Sequence, residues 1–502
     1  MQYLIFVWKR MLALVASLWV LTATIRGLHR VLATPFAPLI RYWNQLSHFK
    51  RGVFWGLVFL AVTLYFHDSA TLRKIDDAGM DWMIQMNRGD LRGDLANLRP
   101  ITFLNIDEDA YRRWDEPLWL PRDKLQRLIK YAVDGGAKLV IVDVELSKPS
   151  DKKDDELKKY LENLCPSEGD FAVRARPRCL APHILLVRGL RMPPGSGGGE
   201  AVRERRPSFL DDSVVPEKRP YLHWASSLFD QDGDGVMRRW HLWEPVCDSI
   251  PSGTCNNVVA LPSFQLLTLA ILASDSNALP SLTLKLHDLT SKGLTKLAHK
   301  EADHKSSSLK IGNVDLDLEH SPVGSRIIYS LPWPLEKDKG YPQINWQGGR
   351  SPLLNPIPAA AITDAAEAPP SSLRDQIVIV GSSFADSRDI YYTPLGEMPG
   401  SMVIANALVS LQTGQAREWP QAAILPIEFL LIIGTAFAFS RFKGFRAKLV
   451  ATGVTLLITL PLSFFLFRTG VWLDFAIPLA VVELHASISE IEESLSTHGD
   501  HS

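Results

Sequence analysis

Ile377-Val-Ile-Val-Gly-Ser-Ser383 is an apolar, β-branched run that stops on a glycine and two hydroxyl residues. A run that is apolar at odd and even positions alike reads as a short strand buried on both faces. Ile101–Ile106 (ITFLNI), Leu139–Val144 (LVIVDV) and Ile184–Val187 have the same character. Between them, Lys124–Val133 places Leu125, Leu128, Ile129 and Ala132 on one helical face, and Gly135-Gly136 stops that helix. Gly400–Gly414 reads as a further helix, and Leu309–Leu318 (LKIGNVDLDL) as a hairpin. Alternating strands and helices predict an α/β domain with a mixed sheet.

This domain is bracketed by membrane-like sequence. At 502 residues the chain has room for about two to four domains. Its mean hydropathy is near zero, but the average hides apolar residues gathered before residue 67 and after residue 420. Residues 422–440 carry one charge, Glu428, and residues 449–467 carry none; each is long enough to cross a hydrocarbon core. A third segment, 471–489, is weakened by Asp474, Glu483 and His485. Arg441, Lys443, Arg446 and Lys448 lie between the first two, and positive loops stay in the cytoplasm. Residues 52–66, preceded by Lys50 and Arg51, form a short apolar span running outward. The expected organisation is therefore 1–47 amphipathic or membrane-associated, 48–67 a transmembrane helix, and 68–420 an extracytoplasmic domain. Three transmembrane helices follow over 421–489, with a cytoplasmic tail at 490–502. That tail is too short for an output domain, so any signal is expected to pass to another polypeptide.

Two inserts fall in 151–220. Asp151–Lys159 is a charge run that reads as a solvated helix face. Arg188–Pro220, dense in Pro, Gly and charge, reads as a mobile loop. All four cysteines, Cys165, Cys179, Cys247 and Cys255, lie in the exported segment, which predicts disulfides. Short loops favour Cys165–Cys179 and Cys247–Cys255 among the three connectivities possible.

The sites follow from strand ends, where open α/β sheets bind ligands. Asp107 and Asp143 end two strands, Ser382 and Ser383 end a third, and Asp386 and Asp389 follow. Together these six form an acidic, hydroxyl-lined mouth suited to a cation or an amine-bearing ligand; the bland alternative is that the acids cap turns and helices. Asp230-Gln-Asp232-Gly-Asp234-Gly235 matches half of a calcium loop, but its twelfth position is His241 rather than Glu, so it reads as a turn. No phosphate loop, nucleophile elbow, HExxH or CxxC occurs, so no enzyme activity, metal or cofactor is expected. Glu428, Glu483 and His485 are ionisable groups in apolar helices, expected either at the interface or docking a partner helix.

The string Leu373–Ser383, with Asp386, Asp389, Thr393-Pro394 and Met398-Pro-Gly400, resembles the end of a CHASE type 2 extracellular sensor domain. Asp76–Trp82, Ile101–Asp107, Pro121-Arg122, Gly136-Ala137 leading to Asp143, and Asp232–Arg238 resemble its earlier parts in order. The resemblance implies a bacterial signal-input domain in the cytoplasmic membrane, its main domain periplasmic or extracellular. The expected function is a sensor that binds an envelope cue and signals through a separate membrane or cytoplasmic protein, with a homo-oligomer in keeping. The alternative is a structural scaffold subunit of a membrane complex. Neutral net composition gives no reason to expect nucleic acid.

Overall fold

The computed structural model describes residues 45–66, 69–91, 95, 98–149, 153–165, 181–192, 202–248, 255, 257–273, 275, 277–299, 308–318, 322–334, 352–364, 373–442, 445–474, 478 and 482. The chain forms two compact units, one from residues 84–416 and one from residues 1–83 with 417–502.

The first unit is built on six parallel strands: β1 (Ile101–Ile106), β2 (Leu139–Val142), β3 (His183–Val187), β4 (Leu222–Ala225), β5 (Leu354–Pro358) and β6 (Ile377–Ser382). Their order across the sheet is β5-β1-β6-β2-β3-β4. β1 and β2 are buried at every residue, as their unbroken apolar runs demand. On one face Leu104, Val140, Val142, Ile184, Leu186, Val378 and Val380 meet Leu125, Leu128 and Ile129 of the helix Arg122–Asp134. The other face carries the helix Gly400–Gln412, every residue of which is buried. A mostly apolar helix buried on every side needs partners for its few polar groups. Asn406 anchors it there, its Oδ1 accepting the Ser330 and Leu331 amides at 2.9 and 2.8 Å. The main sheet is thus parallel rather than mixed as expected, and antiparallel pairs such as the expected hairpin, Ser308–Ile311 with Val314–Asp317, lie outside it in an α/β structure.

Both inserts depart in part from the sequence reading, although Asp155, Glu156 and Lys159 are exposed as a solvated helix face requires. The charge run forms the helix Asp154–Glu162, but its first acid is not solvated: Asp154 is buried and pairs with the buried Arg122 at 2.9 Å. Arg122 also donates to the Lys148 carbonyl at 3.0 Å and lies over the Phe209 ring. Within Arg188–Pro220, Leu210 and Val214 enter the core beside Leu157 and Leu161, and Arg203–Arg205 pairs as a strand. Two apolar side chains outweigh the polar composition of the segment around them. Cys247 and Cys255 form a disulfide across a strand end, with Cα atoms 5.7 Å apart. Cys165 is disulfide-bonded as well, and its expected partner Cys179 lies outside the described residues.

In the second unit, Ala423–Arg441 and Arg446–Arg468 are helices long and apolar enough to cross a membrane. Phe429, Leu430, Phe437, Leu457 and Phe465 stand exposed on them, the pattern of side chains that face lipid. Each contains a proline, Pro426 and Pro461, a residue membrane helices tolerate. The helix His48–Tyr65 packs along the helix Gln421–Arg441, with Gly56 against Ile432. With Ala70–Met86 it forms a pair bent by 95°, which counts as a third crossing if the two make one span. The expected span over 471–489 opens differently: Val471–Trp472 is a short strand parallel to Arg417–Glu418. The Trp472 indole donates to Asp76 at 2.7 Å. Most of the remainder of that segment, and residues 1–44, lie outside the described residues.

Candidate functional site

Strand register sets out the site before any side chain is considered. Asn105 of β1 stands beside Gly381 of β6, and Val380 stands beside Val142 of β2, so Gly381 adjoins Asp143. Alternation along the strands puts Asn105, Gly381 and Asp143 in one row on the face covered by Gly400–Gln412. The row lies at the carboxyl end of the sheet. Gly381 has no side chain, and Ser401 fills that space: a Cβ at Gly381 would collide with the Ser401 hydroxyl. Ser401 Oγ donates to Asp143 Oδ2 at 2.8 Å.

Asp389 completes the cluster. Its carbonyl accepts the Gly400 amide at 2.8 Å, and its carboxyl group occupies the place a Cβ of Gly400 would take. The motif Met398-Pro-Gly400 thus has a steric cause, because only glycine lets the helix start against this carboxyl group. Both acids are partly buried. Burial pushes the Asp143 carboxyl above the ordinary carboxylate range, against hydrogen bonds from Ser401 and Ser227 that favour its charge. Burial pushes Asp389 up too, and the Asp143 charge adds to the push, while Tyr391 and the Gly400 amide oppose it. Burial and the same two acids raise the Tyr391 hydroxyl to about 12. Two carboxyl groups that repel each other in a dry setting hold a proton or take up another cation. The positive end of the helix Gly400–Gln412 lies over them, with no side-chain cap of its own. In the same row, Asn105 Oδ1 is buried without a hydrogen-bond partner.

Of the six sequence candidates, the structure brings Asp143 and Asp389 together. Asp107 instead caps the helix Glu108–Arg113, accepting the Ala110 amide at 2.9 Å. β6 lies between β1 and β2, so Asp107 and Asp143 end strands two spacings apart, about 9–10 Å. Among the described residues no group of three or more His, Cys, Asp or Glu is placed to hold a metal. Ser382 ends β6, and the Ser383 amide donates to the Ile106 carbonyl at 2.9 Å, extending the sheet pairing. Asp386 is exposed in the turn Ala385–Ser387, and its charge acts on Tyr111. Ser401, Tyr391 and Asn105 were not legible as site residues, although Ser401 directly follows the Met398-Pro-Gly400 motif. The Asp230–Gly235 turn is bound up internally. Arg238 reaches Asp232 and Asp234 at 2.9 and 2.7 Å, and Arg239 reaches Asp232 at 2.6 Å. Glu428 is partly buried in its helix, and Glu483 and His485 lie outside the described residues.

No curated protein and no solved structure matches the chain. The model of the CHASE2 domain matches residues 56–440, from within the helix His48–Tyr65 to the end of the first long apolar helix that follows the sheet domain. Covering most of the chain, that match makes this protein a member of the CHASE2 family of extracellular sensor domains.

Proposed function

We propose that this protein is a membrane-anchored signal-input subunit that responds to positive charge taken up by Asp143 and Asp389. The cue is a proton or a small cation, amines included, arriving from the extracytoplasmic side. The observation that carries this reading is the contact of both acids with the start of one buried helix. Asp143 holds Ser401, and Asp389 packs against Gly400. Neutralising the pair relieves like-charge repulsion under that helix, and re-ionising restores it. Such a difference in interaction energy between two states is what a sensor requires. The chain runs from Gln412 through residues 413–420 into the apolar helix Gln421–Arg441, so a change at Gly400 has a covalent route to the membrane segments. We place the domain outside a bacterial cytoplasmic membrane that the chain crosses several times. Its state passes to a separate membrane or cytoplasmic protein, with Glu428, Glu483 and His485 as docking points and a homo-oligomer as the working form.

The test is thermal unfolding of the full chain in lipid nanodiscs at pH 7.5, with putrescine or magnesium titrated in. The reading expects stabilisation that saturates and that Asp389→Asn abolishes. Equal stabilisation of the wild type and the variant would contradict it and leave the scaffold alternative, in which the domain is a rigid platform.

A further inference from the structure

A second arrangement lies at the carboxyl ends of β3 and β4. Arg188, directly after β3, is only 3% exposed and lies with its guanidinium carbon 4.6 Å over the Trp224 ring. Its two terminal nitrogens bond to both oxygens of Asp211. Arg205 pairs with Asp248. These four groups and Trp224 line a cavity of about 430 Å3, within the range of small-molecule sites. Glu204, also in the wall, is engaged by Arg191 at 2.7 Å. Val214 and Pro207 supply apolar wall beside Trp224.

Two facts bear on what the cavity takes. Arg188 and Arg205 stand in one wall, their guanidinium groups held by Asp211 and Asp248. The arginines are also close enough that the charge of Arg188, after burial itself, lowers the pKa of Arg205. An oxyanion in the cavity offsets the repulsion between the two arginines. Yet each cation in the wall already has its acid, and the third acid, Glu204, has Arg191 from outside it. A ligand of one sign alone therefore leaves an uncompensated charge in a partly buried site, which is costly. A ligand carrying both signs exchanges partners without that cost.

We infer that this cavity binds a free α-amino acid with a compact apolar side chain. Its carboxylate sits on Arg188 and Arg205, its ammonium on Asp211 or Asp248, and its side chain against Trp224 and Val214. The site shares no residue with the Asp143–Asp389 cluster, and the inference does not depend on that cluster's role.

Equilibrium dialysis of the full chain in nanodiscs with labelled L-valine tests it. The expected result is saturable binding of one molecule per chain. Excess unlabelled L-alanine competes, whereas acetate and glycinamide, each carrying one of the two charges, do not. Arg205→Gln weakens binding at least tenfold, Arg205→Lys less, and Asp389→Asn leaves it unchanged. Binding that acetate displaces as well as alanine does would overturn the inference, as would no saturable binding to the wild type. The wild-type measurements decide the matter even if Arg205→Gln fails to fold. A loss with Asp389→Asn but not with Arg205→Gln would overturn it too, and assign the binding to the acidic cluster.

Discussion

Arg122 and Asp154 meet as opposite charges 2.9 Å apart, whereas Asp143 and Asp389 are like charges gathered at the carboxyl end of the sheet. The first pair is closed. Arg122 is 1% exposed, and carboxylate, carbonyl and aromatic ring surround its guanidinium group. The second pair is left open, with two raised carboxyl groups, three hydroxyl donors and a helix terminus around them. Removing one member of a matched pair strands a charge, while removing one member of a repelling pair relieves a strain on charge. The same substitution chemistry therefore acts with opposite sign at the two places, and this separates a structural ion pair from a responsive one.

The largest effect is expected where the matched pair is broken. Asp154→Ala leaves Arg122 buried without its carboxylate and should cost about 3–5 kcal/mol in chemical denaturation. A loss below about 1 kcal/mol would show that water or Phe209 compensates and would weaken the contrast. Next in size is Gly400→Ala, which puts a Cβ on the Asp389 carboxyl group and should cost about 1–3 kcal/mol through overpacking. Combining it with Asp389→Ala opens the space again, so a double-mutant cycle should return a strong favourable coupling.

Smaller effects lie in pH dependence, where the sign is diagnostic. Carboxyl groups with folded-state pKa values above their unfolded values bind protons more tightly in the folded state. Their contribution is full below about pH 4 and is lost as pH rises through the raised values. Asp389→Asn should therefore stabilise the domain above neutral pH and flatten the alkaline limb of its stability profile. His183 and His223, 2.9 Å apart, give the opposite slope. Burial lowers both; Lys138 adds to the effect on His183, and His183 helps bring His223 to about 4. Stability from these neutral rings is full above about 6.5 and is lost as pH falls toward 4. His223→Phe should flatten the acid limb and leave the alkaline one intact, as read by unfolding midpoints between pH 4 and 9.

Much of the framework was legible because it rests on local pattern. Unbroken apolar runs specify strands buried on both faces, and Leu125, Leu128 and Ile129 specify a helix face. What escaped rests on contacts far apart in sequence. Asp154 belongs to a charged stretch, and only the fold brings Arg122 to it. Leu210 lies in a segment whose average composition is polar, yet burial is decided by single side chains. Asp143 and Asp389 were singled out as strand-end and post-glycine acids, but so were Asp107 and Asp386. Nothing in the string distinguishes a carboxylate that caps its own helix, as Asp107 does, from one that meets another across the sheet. Ser401 and Tyr391 carry no signal beyond their neighbourhood to Met398-Pro-Gly400 and Asp389.

The central claim is that the charge of the Asp143–Asp389 pair controls the helix Gly400–Gln412. Hydrogen–deuterium exchange of peptides spanning residues 400–412, at pH 5.5 and pH 8 and corrected for intrinsic rates, tests it most directly. The account predicts greater protection at pH 5.5 in the wild type, and protection independent of pH when both acids are changed to asparagine. An unchanged pH response in that double variant would contradict it.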